Sequence, residues 1–173
     1  VPLEGDRTPP SVVMPSAVYI HRRFRIDTGW NAIERYLEDN AGRIVELVPE
    51  VVGTAELYVG GGGENSREAP ETLAQDMHSG ALVDLTSPGR LFRGVKRLLG
   101  DPDTERLDVF DRAYRLVALL TPLLARMRAA VGPPGLAVCL GHPVHFEGRD
   151  PRRDQVALGR LREACGYAGL DVA

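Results

Sequence analysis

The chain has 173 residues, 43% of them hydrophobic and 26% charged, with a formal net charge of −3. That balance fits a globular protein with one sizeable core or two small ones and argues against a nucleic-acid binder at the level of the whole chain. No apolar run approaches the ~20 residues of a membrane helix, and the opening VPLEGDRTPP lacks the charged-then-apolar layout of a targeting segment, so a cytoplasmic protein with no membrane partner is expected. Cys139 and Cys165 are too few for a disulfide scaffold and lie in apolar runs, where free cysteine behaves as a small hydrophobe; both are expected to stay reduced.

The first clear element is SVVMPSAVYI, residues 11–20, a β-branched run broken at Pro15 and followed by the charged HRR of 21–23. With FRI of 24–26 it predicts two short strands joined by a polar turn. Asp27 or Thr28 can then cap a helix over WNAIERYLEDN, with Trp30, Ile33 and Leu37 on one stripe and Gly42 as its stop. Residues 43–60 carry two further strand-like runs, RIVELV and AELYV, ahead of the glycines 60–63 and the polar ENSRE. The pattern then predicts a helix over PETLAQDMHSG and a strand over ALVDL.

In LFRGVKRLLG, residues 91–100, Leu91, Val95, Leu98 and Leu99 fall on one side at helical spacing despite Gly94. Lys96 and Arg97 are neighbours and therefore point about 100° apart on a helix, so they cannot share a face. RLDVFDRAY is strand-like. RLVALLTPLLARMRAAV predicts an apolar helix, kinked where Pro122 removes a backbone hydrogen bond and ended by Gly132, Pro133, Pro134 and Gly135. LAVCLGHPVHF predicts a buried strand running into a turn, and PRRDQVALGRLREACGYAGL a helix with proline in its first turn. The closing order of strand, loop and helix is that of an α/β domain.

Taken alone, the spacings assign no chemistry. Gly60–Gly63 lacks the Gly-Lys-Ser/Thr ending of a Walker loop, because Glu64, Asn65 and Ser66 follow it; a surface loop is the simpler reading. His142, His145 and Cys139 offer zinc-ligand chemistry but no fourth ligand and no paired cysteines, so no metal site is expected. The run EGRDPRR suits a solvated helix entrance, and Trp30 a core position. Lys96 reads from spacing as a surface lysine whose stem lies along Val95, Leu98 and Leu99.

Three segments, in chain order, resemble the ATPase domain of the seventy-kilodalton heat-shock chaperones, a branch of the actin-like ATPase superfamily. PSAVYI, within EGDRTPPSVVMPSAVYI, looks like the family's proline-serine-hydrophobic strand, and FRIDTGWNAIERY resembles the helix start that follows it. FRGVKRLLG is similar to its Phe-x-x-x-Lys-Arg-Leu-hydrophobic-Gly segment. LAVCLGHPVHFEGRDPRRDQVALGRLREACGYAGLDV looks like its strand, Pro-x-x-Phe turn and helix ending in Ala-Gly-Leu. GHPVHF and the inserted middle stand closer to divergent prokaryotic members than to the standard chaperones.

The resemblance implies an α/β fold that is part of an actin-like ATPase lobe, with mixed sheets and flanking helices. Residues 1–42 and 90–173 would form the lobe portion, and 43–89 an inserted, partly loop-rich segment of the outer subdomain. It implies a parent protein that binds and hydrolyses ATP with Mg²⁺ to drive conformational change in protein folding. Lys96 would reach the γ-phosphate region and help place the attacking water, and Arg97 would lie near the same cleft. Pro143 would belong to an interdomain relay, with Arg149, Arg152 and Arg153 just beyond it.

The family's first phosphate loop, Asp-x-Gly-Thr, and its second, an aspartate with Gly-Gly-Gly-Thr, do not occur in these residues. This chain alone is therefore expected to bind no ATP or Mg²⁺ and to hydrolyse nothing. Its partners would be the remainder of the ATPase domain and a client protein or co-chaperone, not nucleic acid. The competing expectation is a non-catalytic interaction module that retains the lobe architecture.

Overall fold

The computed structural model describes residues 3–4, 8–59, 71–131, 138–143, 146 and 150–172, with 49–59 and 71–82 described by backbone course alone. In chain order the elements are β1 (Ala17–His21), β2 (Ile26–Thr28), α1 (Gly29–Asn40), β3 (Leu47–Val59), β4 (Glu71–Asp84), β5 (Gly89–Arg93), a 3-10 turn (Val95–Leu98), β6 (Arg106–Val109), β7 (Arg112–Arg115), α2 (Leu116–Val131) and α3 (Arg152–Tyr167). The chain is mixed α/β: its named sheets are antiparallel, and Val138 and Val172 form one parallel bridge. It divides into two compact units, Val1–Gly42 with Pro88–Ala173, and Arg43–Ser87.

In the first unit β1 is the middle strand of the sheet β2-β1-β5. Successive strand residues face opposite ways, and both faces of β1 are apolar. Val18 and Ile20 are buried in a cluster with Val109, Leu116, Leu119, Leu123, Ala157 and Ala164. Ala17 and Tyr19 are buried on the other side against Ala32 of α1, with Ile33 and Leu91 packed around them. The Tyr19 ring lies over Gly89, where a Cβ would collide with its Cζ, and its hydroxyl donates to Asp39 Oδ2 at 3.0 Å.

α1 begins where the sequence places it, but Thr28 makes no side-chain capping bond. Glu4 takes that role from outside the helix. Its fully buried carboxylate accepts from the Trp30 N–H at 3.4 Å and forms an ion pair with Arg126 of α2, placing negative charge at the helix N-terminus. Gly29 leaves room for it: its φ is +66°, and a Cβ there would overlap Glu4 Oε1. The expected stripe of Trp30, Ile33 and Leu37 is only half inside, since Leu37 is 60% exposed and the buried positions are Gly29 and Ala32.

Hairpin β6–β7 turns through Phe110 and Asp111, with Val109 paired to Arg112. Phe110 has φ +60°, as does Phe24 in the turn between β1 and β2, a costly region for a bulky side chain. Each ring is covered by an arginine from the other hairpin: Arg22 lies over Phe110 at 4.9 Å and Arg112 over Phe24 at 3.7 Å. α2 follows β7 directly and runs through Pro122 as one element. α3 ends in a Schellman motif, with Gly169 at φ +71° and the Leu170 N–H donating to Cys165 O at 2.9 Å. Cys165 is buried, which pushes its thiol pKa up, whereas Cys139 is exposed rather than set in an apolar core.

Three local expectations are corrected. PETLAQDMHSG does not form the expected helix; its residues 71–80 belong to β4, which pairs with β3 from Leu47↔Asp84 to Val59↔Glu71 and also absorbs most of ALVDL. Its helix-forming residues yield to long-range pairing, to which β structure is especially sensitive. LFRGVKRLLG is not one helix either. Leu91–Arg93 belong to β5, and Gly94 at φ +71° separates them from the 3-10 turn. Around LAVCLGHPVHF the described backbone is irregular, with the bridge at Val138 its one ladder contact.

In the second unit Arg43 closes the base of the hairpin. Its guanidinium pairs with the Asp84 carboxylate and donates to Thr86 Oγ1 at 2.8 Å. That contact holds the Asp84 pKa down to about 2. Residues 60–63 lie outside the described residues, so the surface-loop expectation there has no structural counterpart.

Glu4→Ala should destabilise the protein by ~2–4 kcal/mol, because it removes the ion pair with Arg126 and uncaps α1 together. Urea denaturation, with Glu4→Gln as the isosteric control, measures it; the control should retain part of the stability through its hydrogen bonds.

Candidate functional site

Ala17 pairs with Arg93 across β1 and β5, so the residues before β1 and those after β5 lie together at one end of the sheet. They line an open recess of about 560 Å³. Pro15, Ser16 and Ala17 form one wall, Ile33 of α1 contributes an apolar side, and Arg93, Gly94, Lys96 and Arg97 form the rest. The lining holds three cations and no carboxylate. Arg93, Lys96 and Arg97 are exposed, and among the described residues none of them pairs with an acid.

The backbone under these cations is fixed at both ends. Gly94 adopts φ +71°, with no atom near the place of a Cβ, and turns the chain out of β5. Val95 and Leu99 are buried in the main core, so Lys96 and Arg97 project outward between two apolar anchors. At the far end Arg160 of α3 donates from Nη1 to Leu99 O at 2.9 Å and Asp101 O at 2.7 Å, with Leu98 O at 3.4 Å. Asp101 is itself a hub. Its carboxylate accepts from Thr104 Oγ1 at 2.7 Å and the Asp103 N–H at 3.2 Å, and faces Arg153 at 3.8 Å. The Thr104 bond first, then the Asp103 amide and the nearby arginines, lower its pKa.

The other residues singled out in the sequence are dispersed. Pro143 is exposed, and His142 beside it donates from Nδ1 to Pro143 O at 2.8 Å and stacks on the Phe146 ring. Arg152 is exposed and grips Asp150 at 2.7 Å, a contact that holds the Asp150 pKa down to about 2 while the same carboxylate accepts the Arg152 N–H at the start of α3. Arg153 is mostly buried beside Asp101, and its Nε has no hydrogen-bond partner among the described residues. Arg149 and His145 lie outside the described residues. Among the described residues no three His, Cys, Asp or Glu side chains converge as metal ligands, and no helix is long and apolar enough to cross a membrane.

Sequence reasoning missed Arg93, Asp101 and Arg160. The run Asp101-Pro102-Asp103-Thr104 carries an Asx-turn signal, so Asp101 could have been found. Arg93 and Arg160 carry no local signal, since only strand pairing and helix docking bring them to the Lys96 turn. No protein-family model and no curated protein matches the chain.

The Asp150 contact predicts a pH response. Its folded pKa is depressed, so its contribution to stability is present above the unfolded carboxylate value near ~3.9 and is lost as pH falls through about 2. A carboxyl-carbon NMR titration should place its midpoint near 2, and Arg152→Gln should move it up toward ~3.9.

Proposed function

We propose that these residues form part of the first lobe of a heat-shock-chaperone-type ATPase of the actin-like superfamily. Its parent protein binds and hydrolyses ATP to drive a conformational cycle on client proteins. The observation that carries the reading is that PSAVYI and FRGVKRLLG, two of the three segments bearing the resemblance, meet at one open recess, with Pro15 and Ser16 facing Arg93, Lys96 and Arg97.

A recess with three cations and no carboxylate suits the phosphate end of a nucleotide. A compact ammonium on a flexible stem can follow charge as it develops on a transferring phosphoryl group. The same lining offers no acidic ligand for Mg²⁺, so any metal carboxylates would come from residues other than these. Lys96 would neutralise charge on the phosphate, and Arg97 and Arg93 would raise the local anion concentration. The remainder of the ATPase domain, a client and a co-chaperone are the partners this reading entails, in the cytoplasm.

Two measurements test it. Calorimetric titration of Mg-ATP into the 173-residue chain should show no micromolar binding; a micromolar isotherm would contradict the claim that both phosphate loops lie outside these residues. In the full product of the reading frame, Lys96→Ala should lower kcat by ~10²- to 10³-fold while nucleotide KM changes by less than about two-fold. Unchanged turnover would remove Lys96 from the reaction.

A further inference from the structure

We infer that Arg160 is the positioning residue for Lys96, an inference that rests on the catalytic reading of Lys96 given above. Arg160 lies three residues after Ala157 and four before Ala164, both fully buried, and so belongs to the stripe that α3 turns toward the core. An aliphatic side chain is the ordinary occupant of such a position. Here the guanidinium spends its donors on main-chain oxygens, those of Leu99 and Asp101 at 2.9 and 2.7 Å, with Leu98 O at 3.4 Å.

These carbonyls close the turn that carries Lys96. The Leu98 carbonyl also accepts the Asp101 N–H at 3.0 Å, and the Lys96 carbonyl accepts the Leu99 N–H at 3.3 Å. A movement of residues 98–101 is therefore transmitted to Lys96 along the chain and through the Leu99–Lys96 hydrogen bond. The upstream end is fixed by the pairing of Arg93 with Ala17. With β5 as one anchor and Arg160 as the other, the Lys96 backbone is held at this end of the sheet while its ammonium stays free. Arg160 thus ties the recess to α3, beside the Arg153–Asp101 ion pair. All three Arg160 contacts come from the one Nη1, so a lysine ammonium in its place keeps the charge and part of the bonding but lacks the rigid planar group that aims the donor.

The test has two arms. In the 173-residue chain, Arg160→Met should speed hydrogen exchange at the Arg97, Leu99 and Asp101 amides by about ten-fold or more, while Val18 and Ile20 in β1 keep their protection. Unchanged exchange at the turn would overturn the inference.

In the full product of the reading frame, Arg160→Met should lower kcat by ~10- to 100-fold with nucleotide KM within about two-fold. In a Lys96→Ala background the same change should cost less than about two-fold, because the group it positions is gone. An equal loss in both backgrounds would make Arg160 a structural residue and overturn the inference. If Lys96→Ala alone leaves turnover unchanged, the catalytic reading fails instead, and the exchange arm still decides whether Arg160 holds the turn. Arg160→Lys, expected to fall between wild type and Arg160→Met in both arms, supplies the same readouts if Arg160→Met does not fold.

Discussion

The first unit depends on a strand that is buried on both sides. β1 has no polar face: Val18 and Ile20 enter the core beneath α2 and α3, while Ala17 and Tyr19 enter the contact with α1. In a strand of this kind a one-residue slip only exchanges one apolar set for the other, so its register with β5 rests on shape, with the Tyr19 ring seated over Gly89 and its hydroxyl on Asp39. That register sets Arg93 opposite Ala17. The recess at this end of the sheet, with its proline, its serine and its three cations, is a geometric consequence of the same pairing.

Charge in this molecule is used mainly to fasten elements whose ends would otherwise be unsatisfied. Glu4 occupies the N-terminus of α1 and draws Arg126 to it. Arg160 satisfies carbonyls after the 3-10 turn. Asp150 and Asp101 gather the amides and arginines around the start of α3 and the end of that turn, and Arg115 joins β7 to Glu163 of α3 through two bonds. Against this background Arg93, Lys96 and Arg97 stand out. Among the described residues they are cations brought together without acids, an arrangement that raises the electrostatic energy of the folded chain and that an anion in the recess would relieve.

The readable part of the site was Lys96 and Arg97, because residue type and order along the chain survive without knowledge of the fold. The helix proposed around them did not hold. Leu91, Val95, Leu98 and Leu99 share a helical spacing, but Gly94 at φ +71° divides them between a strand and a 3-10 turn, and a spacing rule cannot see a positive φ in advance. PETLAQDMHSG failed for a related reason. Its residues favour helix by local propensity, and its pairing with β3 is a long-range property.

The sequence by itself determined the places where the chain must turn and the segments that had to be apolar. Gly42 and Gly169, with Pro151 at the head of α3, mark ends of elements by steric necessity, and the apolar run of 116–131 and the proline-headed run of 152–167 are legible as helices without a partner. Only the tertiary structure decided that Glu4 caps α1, that Arg160 serves the Lys96 turn, and that Pro15 and Ser16 share a recess with Arg93 and Lys96. Each of these contacts joins residues tens of positions apart, where the chain's local chemistry carries no information about which groups will meet.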